Sequence, residues 1–327
     1  METFLSIVIP AFNASSYIER CLNSIFDTLK NDNDFLDLIE VVVVDDCSID
    51  DTYNKVINYK STNNINNLKL IKHPINRQQG AARNTGIRNS EGRYIWFVDV
   101  DDYIDNNVLT HLIKSLISCN ADVIQFNAQN ELVGGERVSE EFLDKEINGV
   151  SGVDYLNFEA EIGYSNRIRA SWSKWYRRMY LIENDLFFQE GIFWEDVVHT
   201  LKSVFWANTF LYLPVKAYIY VQTPNSDMRG AQNGRKFADT IRFCVDSFEF
   251  LLKNHASNTI INFQKIYYEK VLAKYKLNLH KLSFREFLVF NKSISKMNTA
   301  VIEKFCGNKS HNWLNSSYGR FISWLAI

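Results

Sequence analysis

Carboxylates that directly follow apolar runs are the first feature of this sequence that could do chemistry. Asp45 and Asp46 come straight after Val41 to Val44, and Asp99, Asp101 and Asp102 follow Tyr94 to Val98. Acids gathered on one rim repel one another unless a cation sits among them, and hard oxygen ligands suit Mg2+ or Mn2+ holding a diphosphate. Helix N-caps explain a single Asp50 or Asp105, but not acids crowded at two run ends. Arg83, just after Gly80, carries a fixed positive fork that either meets phosphate or holds those acids together. Lys174, in Ala170 to Arg178, is either a charge for a diphosphate or a surface lysine beside two buried tryptophans. His199 lies three residues beyond Asp196 and so shares its helix face. It contacts phosphate, metal or acceptor there, or has no role.

These side chains need a scaffold, and short β-branched runs supply one. Phe4 to Ile9, Ile39 to Val44, Leu68 to Ile71, Tyr94 to Val98 and Asp122 to Phe126 read as strands buried on both faces, with helical patterns between them. In such open α/β sheets, ligands bind beyond the carboxyl ends of the strands, where Pro10 to Asn13, Asp45 to Ser48 and Asp99 to Asp102 fall. Ser15 to Leu29 reads as a helix, with Ser16 and Glu19 as its capping box, and Ser61 to Asn67 as a loop. Beyond residue 130, Val150 to Phe158, Arg178 to Asn184 and Glu195 to Ala207 read as helices. Phe210 to Leu213 and Ala217 to Val221 read as two short strands around Pro214. From Lys236 the pattern is helical, with Ile260, Phe263, Tyr267, Val271, Tyr275 and Leu279 as one apolar stripe.

At 327 residues, 46% hydrophobic and 23% charged with 13 Gly and 4 Pro, the chain is globular and long enough for about two domains. Its net charge of -2 argues against a general nucleic-acid binder. That average hides two parts. Residues 1–225 hold 20 basic against 31 acidic side chains, and residues 226–327 hold 16 against 7, a basic module facing an anionic membrane, an acidic substrate or only solvent. Cys21, Cys47, Cys119, Cys244 and Cys306 form no ligand pattern, which fits a reduced, cytoplasmic setting. No apolar run approaches the roughly 20 residues of a bilayer span, and no basic signal region opens the chain.

Four ordered segments carry a resemblance: Ser6 to Asn13, Val43 to Ser48, Ala82 to Ile87 and Phe97 to Asp102. The chain resembles a family 2 glycosyltransferase of the GT-A fold, of the kind that builds bacterial lipopolysaccharide, capsule or exopolysaccharide. A weaker resemblance continues through Glu190 to Asp196 and Tyr218 to Met228. It implies an α/β fold, a Rossmann-like mixed sheet flanked by helices, over 1–225, with a nucleotide-sugar half to about 130 and an acceptor half beyond, then a mainly helical module over 226–327.

The resemblance also implies roles. Pro10, Ala11 and Phe12 line a nucleotide pocket with Asn13 and Asp46 beside them, although Phe12 is equally suited to core packing. Asp45 accepts the uracil N3–H, since a carboxylate cannot donate to uracil's carbonyls. Asp99-Val100-Asp101 resembles the D-x-D motif, with Asp99 near the ribose and Asp101 on Mn2+ or Mg2+; Asp102 is structural. Glu195-Asp196 resembles the acidic pair of inverting members, which makes Asp196 the base with Glu195 as second choice. Gln222, Ser226 and Met228 resemble a segment that closes over the donor. Cys47 and Gln78 depart from the pattern, standing where the family has Gly. The implied partners are a nucleoside-diphosphate sugar, preferably a UDP-sugar, and a glycan acceptor, lipid-linked at the inner membrane face. For the aromatic tail Trp313 to Ile327, membrane contact, docking on the main domain and a dimer contact stay open. A non-catalytic sugar-nucleotide-binding protein is the alternative, and a sugar nucleotidyltransferase a weaker one, since Pro10 to Asn13 stands where that fold has a Gly-rich basic loop.

Overall fold

The leading apolar runs pair side by side in parallel in a computed structural model that describes residues 2–29, 33–105, 108–140, 143–163, 170–223 and 234–276. In chain order the first unit, Met1–Gly230, begins β1 (Leu5–Ala11), α1 (Ile18–Leu29), α2 (Asn33–Leu36), β2 (Ile39–Asp45), α3 (Thr52–Thr62), β3 (Leu68–Lys72), α4 (Gln78–Asn89) and β4 (Tyr94–Phe97). It continues with β5 (Tyr103–Ile104), α5 (Leu109–Leu116), β6 (Val123–Glu131), β7 (Arg137–Glu140), β8 (Ile147–Val150) and α6 (Gly152–Ile162). β9 (Lys174–Arg177), α7 (Arg178–Glu183), α8 (Glu195–Phe205) and β10 (Phe210–Val221) complete it.

The strands form one mixed sheet in the order β3-β2-β1-β4-β9-β6-β10-β5, with β7 beside β6 and β8 beside β10. β1 runs parallel to β2 and β4, β2 to β3, and β6 to β10, whereas β9 lies antiparallel between β4 and β6. Every residue of β1, β2 and β4 is buried, which is why those runs are nearly continuously apolar, the buried Ser6 hydroxyl donating to the Glu40 carboxylate between β1 and β2. This is the expected GT-A-like architecture.

Two packing features fix the layers that matter for the site. α4 lies flush on β1 because Gly86 has no side chain there: a Cβ would sit 2.1 Å from a Val8 methyl. The aromatic content concentrates where β4, β9 and β6 meet, with Trp96 edge-on to Phe126 at 5.1 Å and tilted against Trp175 at 5.7 Å. Each such ring pair adds about 0.5–1.5 kcal/mol beyond area burial.

Several local expectations need correction. The two strands around Pro214 are one strand, β10; Pro214 has no N–H for the ladder, and the register shifts between Leu213 and Lys216 and again before Tyr218 absorb it. The turn before α1 is held by Asp50 and Thr52, which accept from the Ser15 and Ala14 N–H groups, while Glu19 pairs with Lys55 at 3.1 Å instead of closing a box with Ser16. α3 extends to Thr62, into the stretch read as loop.

The second unit, Ala231–Ile327, is described through α9 (Gly234–Lys253) and α10 (Asn258–Lys276). The two helices pack on each other, with Phe243 6.0 Å from Tyr268. The most buried line on α10 is Ile260, Gln264 and Tyr268, with Phe263, Tyr267 and Val271 only partly buried, so the face is turned from the expected stripe. Its members Tyr275 and Leu279, and also Ser226, Met228, Cys306 and Trp313 to Ile327, lie outside the described residues and side chains. Among the described residues no helix is long and apolar enough to cross a membrane.

Candidate active site

The carboxyl ends of β1 and β2 are stitched together by the loops that leave them. Asp46 N–H donates to Ala11 O at 2.8 Å, Asn13 N–H to the Ser48 hydroxyl at 2.9 Å, and Ile49 N–H to the Asn13 side-chain oxygen at 3.0 Å. Pro10 and Ala11 are buried within β1, and Phe12 is 48% exposed at the rim, which removes the core-packing alternative for that ring. Asn13 and Cys47 both have left-handed backbones, at φ 48° and 65°. The second angle is the reason Gly suits that position.

Asp45 and Asp46 are neighbours with opposite situations. Asp46 accepts from the Arg77 N–H at 3.0 Å and pairs with His73 Nδ1 at 2.7 Å, while His73 Nε2 meets the Thr85 hydroxyl at 2.9 Å. Its carboxylate is used up in fastening the β3–α4 loop, so the expectation that it meets substrate is corrected. Asp45 is fully buried and neither of its oxygens has a hydrogen-bond partner; the Lys72 ammonium is 3.9 Å away. A buried carboxylate in that condition is costly unless something else donates to it.

Arg83 joins the two acidic groups. It is 2% exposed, with one terminal nitrogen donating to Asp99 Oδ1 at 2.8 Å and the other to Glu195 Oε1. Phe188 lies under the guanidinium at 5.3 Å. Of the two jobs the sequence left open, holding the acids together is therefore the one seen. Gln79, one turn earlier on α4, also donates to Asp99 Oδ1 at 3.1 Å. Sequence reasoning missed it, although its i, i+4 spacing from Arg83 puts both on one helix face. Asn84, the next residue on α4, grips the Phe188 backbone from both sides, at 2.8 and 2.9 Å, and so fixes the segment leading to Glu195.

The Asp99–Asp102 turn presents its acids unequally. Asp99 is tied to Arg83 and Gln79, and Val100 packs partly against the core. Asp102 is 1% exposed and bonded to the Tyr218 hydroxyl and the Val221 N–H, each at 2.7 Å, so it is structural. Among the described residues the Asp101 carboxylate has only a long contact from the Thr223 hydroxyl, 3.4 Å, while its backbone carbonyl accepts from the Arg20 guanidinium. Burial and then the Asp99 charge push its carboxyl up to about 6. Among the described residues no three His, Cys, Asp or Glu side chains converge as a metal cage.

Glu195 and Asp196 open α8, after Trp194 at φ 64°. Glu195 is buried against Arg83; burial raises its carboxyl against that cation's pull. Asp196 is the partly exposed member, raised to about 7 by burial and then by the Glu195 charge beside it. His199 is corrected: it stacks on Phe188 at 3.7 Å and its Nε2 meets Leu186 O at 3.2 Å, inside the core, where burial lowers it to about 3. It is placed as a neutral packing residue within the core. Lys174 is corrected too. It is fully buried at the start of β9, with its ammonium donating to Ala170 O at 3.0 Å and the Ser173 hydroxyl at 3.1 Å, so it is not a surface charge.

Against known proteins, the profile of Glycosyl transferase family 2 matches residues 6–184. The chain is 32% identical over 217 residues to the poly(ribitol-phosphate) beta-N-acetylglucosaminyltransferase TarS of Staphylococcus aureus, covering 66% of this chain and 35% of that protein. It thus spans about a third of that relative's length. Among solved structures, TarS 1-349 in complex with UDP-GlcNAc has a TM-score of 0.68 at 24% identity, over 89% of this chain and 79% of that one. The mannosyltransferase PcManGT of Pyrobaculum calidifontis with GDP-Man and Mn2+ has a TM-score of 0.56 at 16% identity, over 90% and 80%. Both structural likenesses concern the fold.

Proposed function

The chain belongs to glycosyl transferase family 2, and from that premise we propose that it moves a sugar from a UDP-sugar to a hydroxyl of a glycan acceptor with inversion at the anomeric carbon. The observation that carries this reading is the Arg83 bridge, which joins the Asp99 turn to the acid pair at the head of α8. Donor and base are thereby held in one frame, as a single displacement needs.

The orphaned Asp45 carboxylate supports a uracil base: N3–H is the donor it lacks. The relative TarS, solved with UDP-GlcNAc, supports the same nucleotide class. Pro10, Ala11, Phe12 and Asn13 form the rim of that pocket. Mn2+ or Mg2+ fits the residues present, because Asp101 is weakly partnered and crowded by Asp99, and Mg2+ in particular takes one or two carboxylates and leaves its other positions to phosphates and water. Asp101 would hold it, with Asp99 contributing at most the oxygen not engaged by Arg83. Bound there, a divalent cation supplies charge neutralisation for the departing diphosphate.

Asp196 takes the acceptor hydroxyl's proton. Glu195 is committed to Arg83, whereas Asp196 is partly exposed and its carboxyl sits near neutrality, where a base is most effective. Residues 1–225 carry the transferase, with the donor half to about 130, and the basic 226–327 module brings it to an anionic membrane face where a lipid-linked acceptor is presented. Calorimetry tests the donor and metal readings together: UDP binding should strengthen with Mn2+, fall with chelator, and lose its metal response in Asp101→Ala. Metal-independent binding unchanged by that substitution overturns them.

A further inference from the structure

One phenol holds both ends of the Asp99–Asp102 turn. Tyr218 is completely buried in β10, where its backbone pairs with Ile104 and Ala128. Its ring stacks on Trp172 at 4.6 Å with 13° between planes. Its hydroxyl oxygen accepts the Asp99 N–H at 3.1 Å, and its proton goes to Asp102 Oδ2 at 2.7 Å. The turn closes on itself through Asp102 N–H to Asp99 O, 3.0 Å, and Asp102 Oδ1 takes the Val221 N–H from the same strand.

We propose that Tyr218 is a positioning residue for the metal-holding carboxylate, because its hydroxyl fixes the first and fourth residues of the turn that carries Asp101. The inference rests on the donor and metal reading above. Asp99 and Asp102 are each anchored by short side-chain bonds, while the Asp101 carboxylate is met, among the described residues, only by the 3.4 Å contact from Thr223, and the Asp101 carbonyl accepts from the Arg20 guanidinium. The place of the Asp101 carboxylate is therefore set by the backbone on either side of it. Losing the hydroxyl leaves a buried N–H and a buried carboxylate oxygen short of a partner, and a turn released at both ends loses the aim of its weakly held side chain, since Arg20 grips only the Asp101 carbonyl. The ring's stack on Trp172 does not depend on the oxygen, so the fold keeps its apolar contacts when only the hydroxyl is removed.

Tyr218→Phe tests this, with Tyr94→Phe as its counterpart. Tyr94 is also a buried tyrosine, donating to Cys119 O and Ala121 O at the opposite end of β4 from the turn, so its loss costs stability without touching the acids. The readout is the Mn2+ concentration that gives half-maximal UDP binding by calorimetry, beside the thermal midpoint. Tyr218→Phe should need about tenfold more Mn2+, as loss of a buried hydrogen bond implies, and its donor KM should rise more than its kcat falls. Tyr94→Phe should lose thermal stability and keep the wild-type Mn2+ midpoint. Asp102→Asn, which leaves the ring in place and reverses the polarity of its bond to the hydroxyl, should shift the midpoint in the same direction. A midpoint within twofold of wild type in both Tyr218→Phe and Asp102→Asn, or an equal shift in Tyr94→Phe, overturns the inference alone. A wild-type protein whose UDP binding ignores Mn2+ overturns the underlying reading and this inference with it.

Discussion

Asp196→Asn separates what this carboxyl does for chemistry from what it costs the fold. Its pKa rises from an ordinary 3.8 to about 7. At 1.36 kcal/mol per unit that is a ceiling of about 4 kcal/mol; partial exposure and the shared titration with Glu195 bring it to about 1–2 kcal/mol. Between pH 4 and 7 the folded state binds more protons than the unfolded chain, so stability falls as pH rises through that window, and the penalty is complete above 7. The asparagine never ionises. The variant should gain about 1–2 kcal/mol over wild type at pH 8 and nothing at pH 4, read by urea unfolding on the fluorescence of Trp96, Trp172, Trp175, Trp194 and Trp206. In the same preparation turnover should fall by about 100-fold or more with UDP affinity unchanged, because the loss is confined to the transition state. Wild-type turnover should climb as pH passes through about 7. No stabilisation at pH 8 refutes the burial argument, and near-normal turnover moves the base to Glu195 or elsewhere.

Asp45→Asn should weaken UDP binding by about tenfold or more in calorimetry without lowering the thermal midpoint, since its carboxylate has no hydrogen bond within the protein to lose. Arg83→Lys replaces a fork that spans Asp99 and Glu195 with a point charge that reaches one of them. Breaking such a buried pair costs up to about 3–5 kcal/mol, so calorimetric unfolding should show a drop of several degrees together with loss of turnover; an unchanged midpoint would deny the bridge its structural role. Gln78→Gly and Cys47→Gly should each stabilise by up to about 1 kcal/mol in urea, because φ of 69° and 65° strains a side chain and suits glycine, less the glycine's extra chain entropy.

The strands of the donor half were legible because burial on both faces of β1, β2 and β4 leaves short apolar runs with few polar residues, and all five leading runs became strands, the fifth continuing past Phe126 to Glu131. β9 was not legible. Lys174 to Arg177 sets two adjacent aromatic rings between two charges, with neither an apolar run nor an alternation to mark it, and it is a strand only because β4 and β6 each offer it an antiparallel edge. The same limit applied to side chains. Asp45 ends β2 and Asp46 follows it, so the alternation of faces buries one without a hydrogen-bond partner and sends the other onto a loop, and only the position of His73 and Arg77 tells which is which. Helical spacing put His199 on the face of Asp196. It could not show that the Phe188 segment, held by Asn84, covers that part of the helix. Lys174 misled for a related reason: a lysine between two tryptophans reads as exposed until its ammonium finds Ala170 O.

Backbone strain marks the site more selectively than any residue type does. Among the described residues seven non-glycine positions have positive φ. Three of them, Asn64, Asp185 and His255, stand two residues past the ends of α3, α7 and α9, where helices commonly finish in the left-handed region. The other four are Asn13, Cys47, Gln78 and Trp194, which follow β1, follow β2, open α4 and precede α8. Each therefore sits where the chain must turn sharply to bring Asp45, Arg83 or Glu195-Asp196 toward a common rim. A left-handed non-glycine residue costs about 1–2 kcal/mol, so four of them together rival half the stability of an ordinary domain. The fully buried strands beneath and the Arg83, Asn84 and Asp46 fastenings oppose that cost. The polar groups are thus set in place before any ligand arrives, which is the condition under which electrostatic stabilisation of a departing diphosphate needs no reorganisation at the moment of transfer.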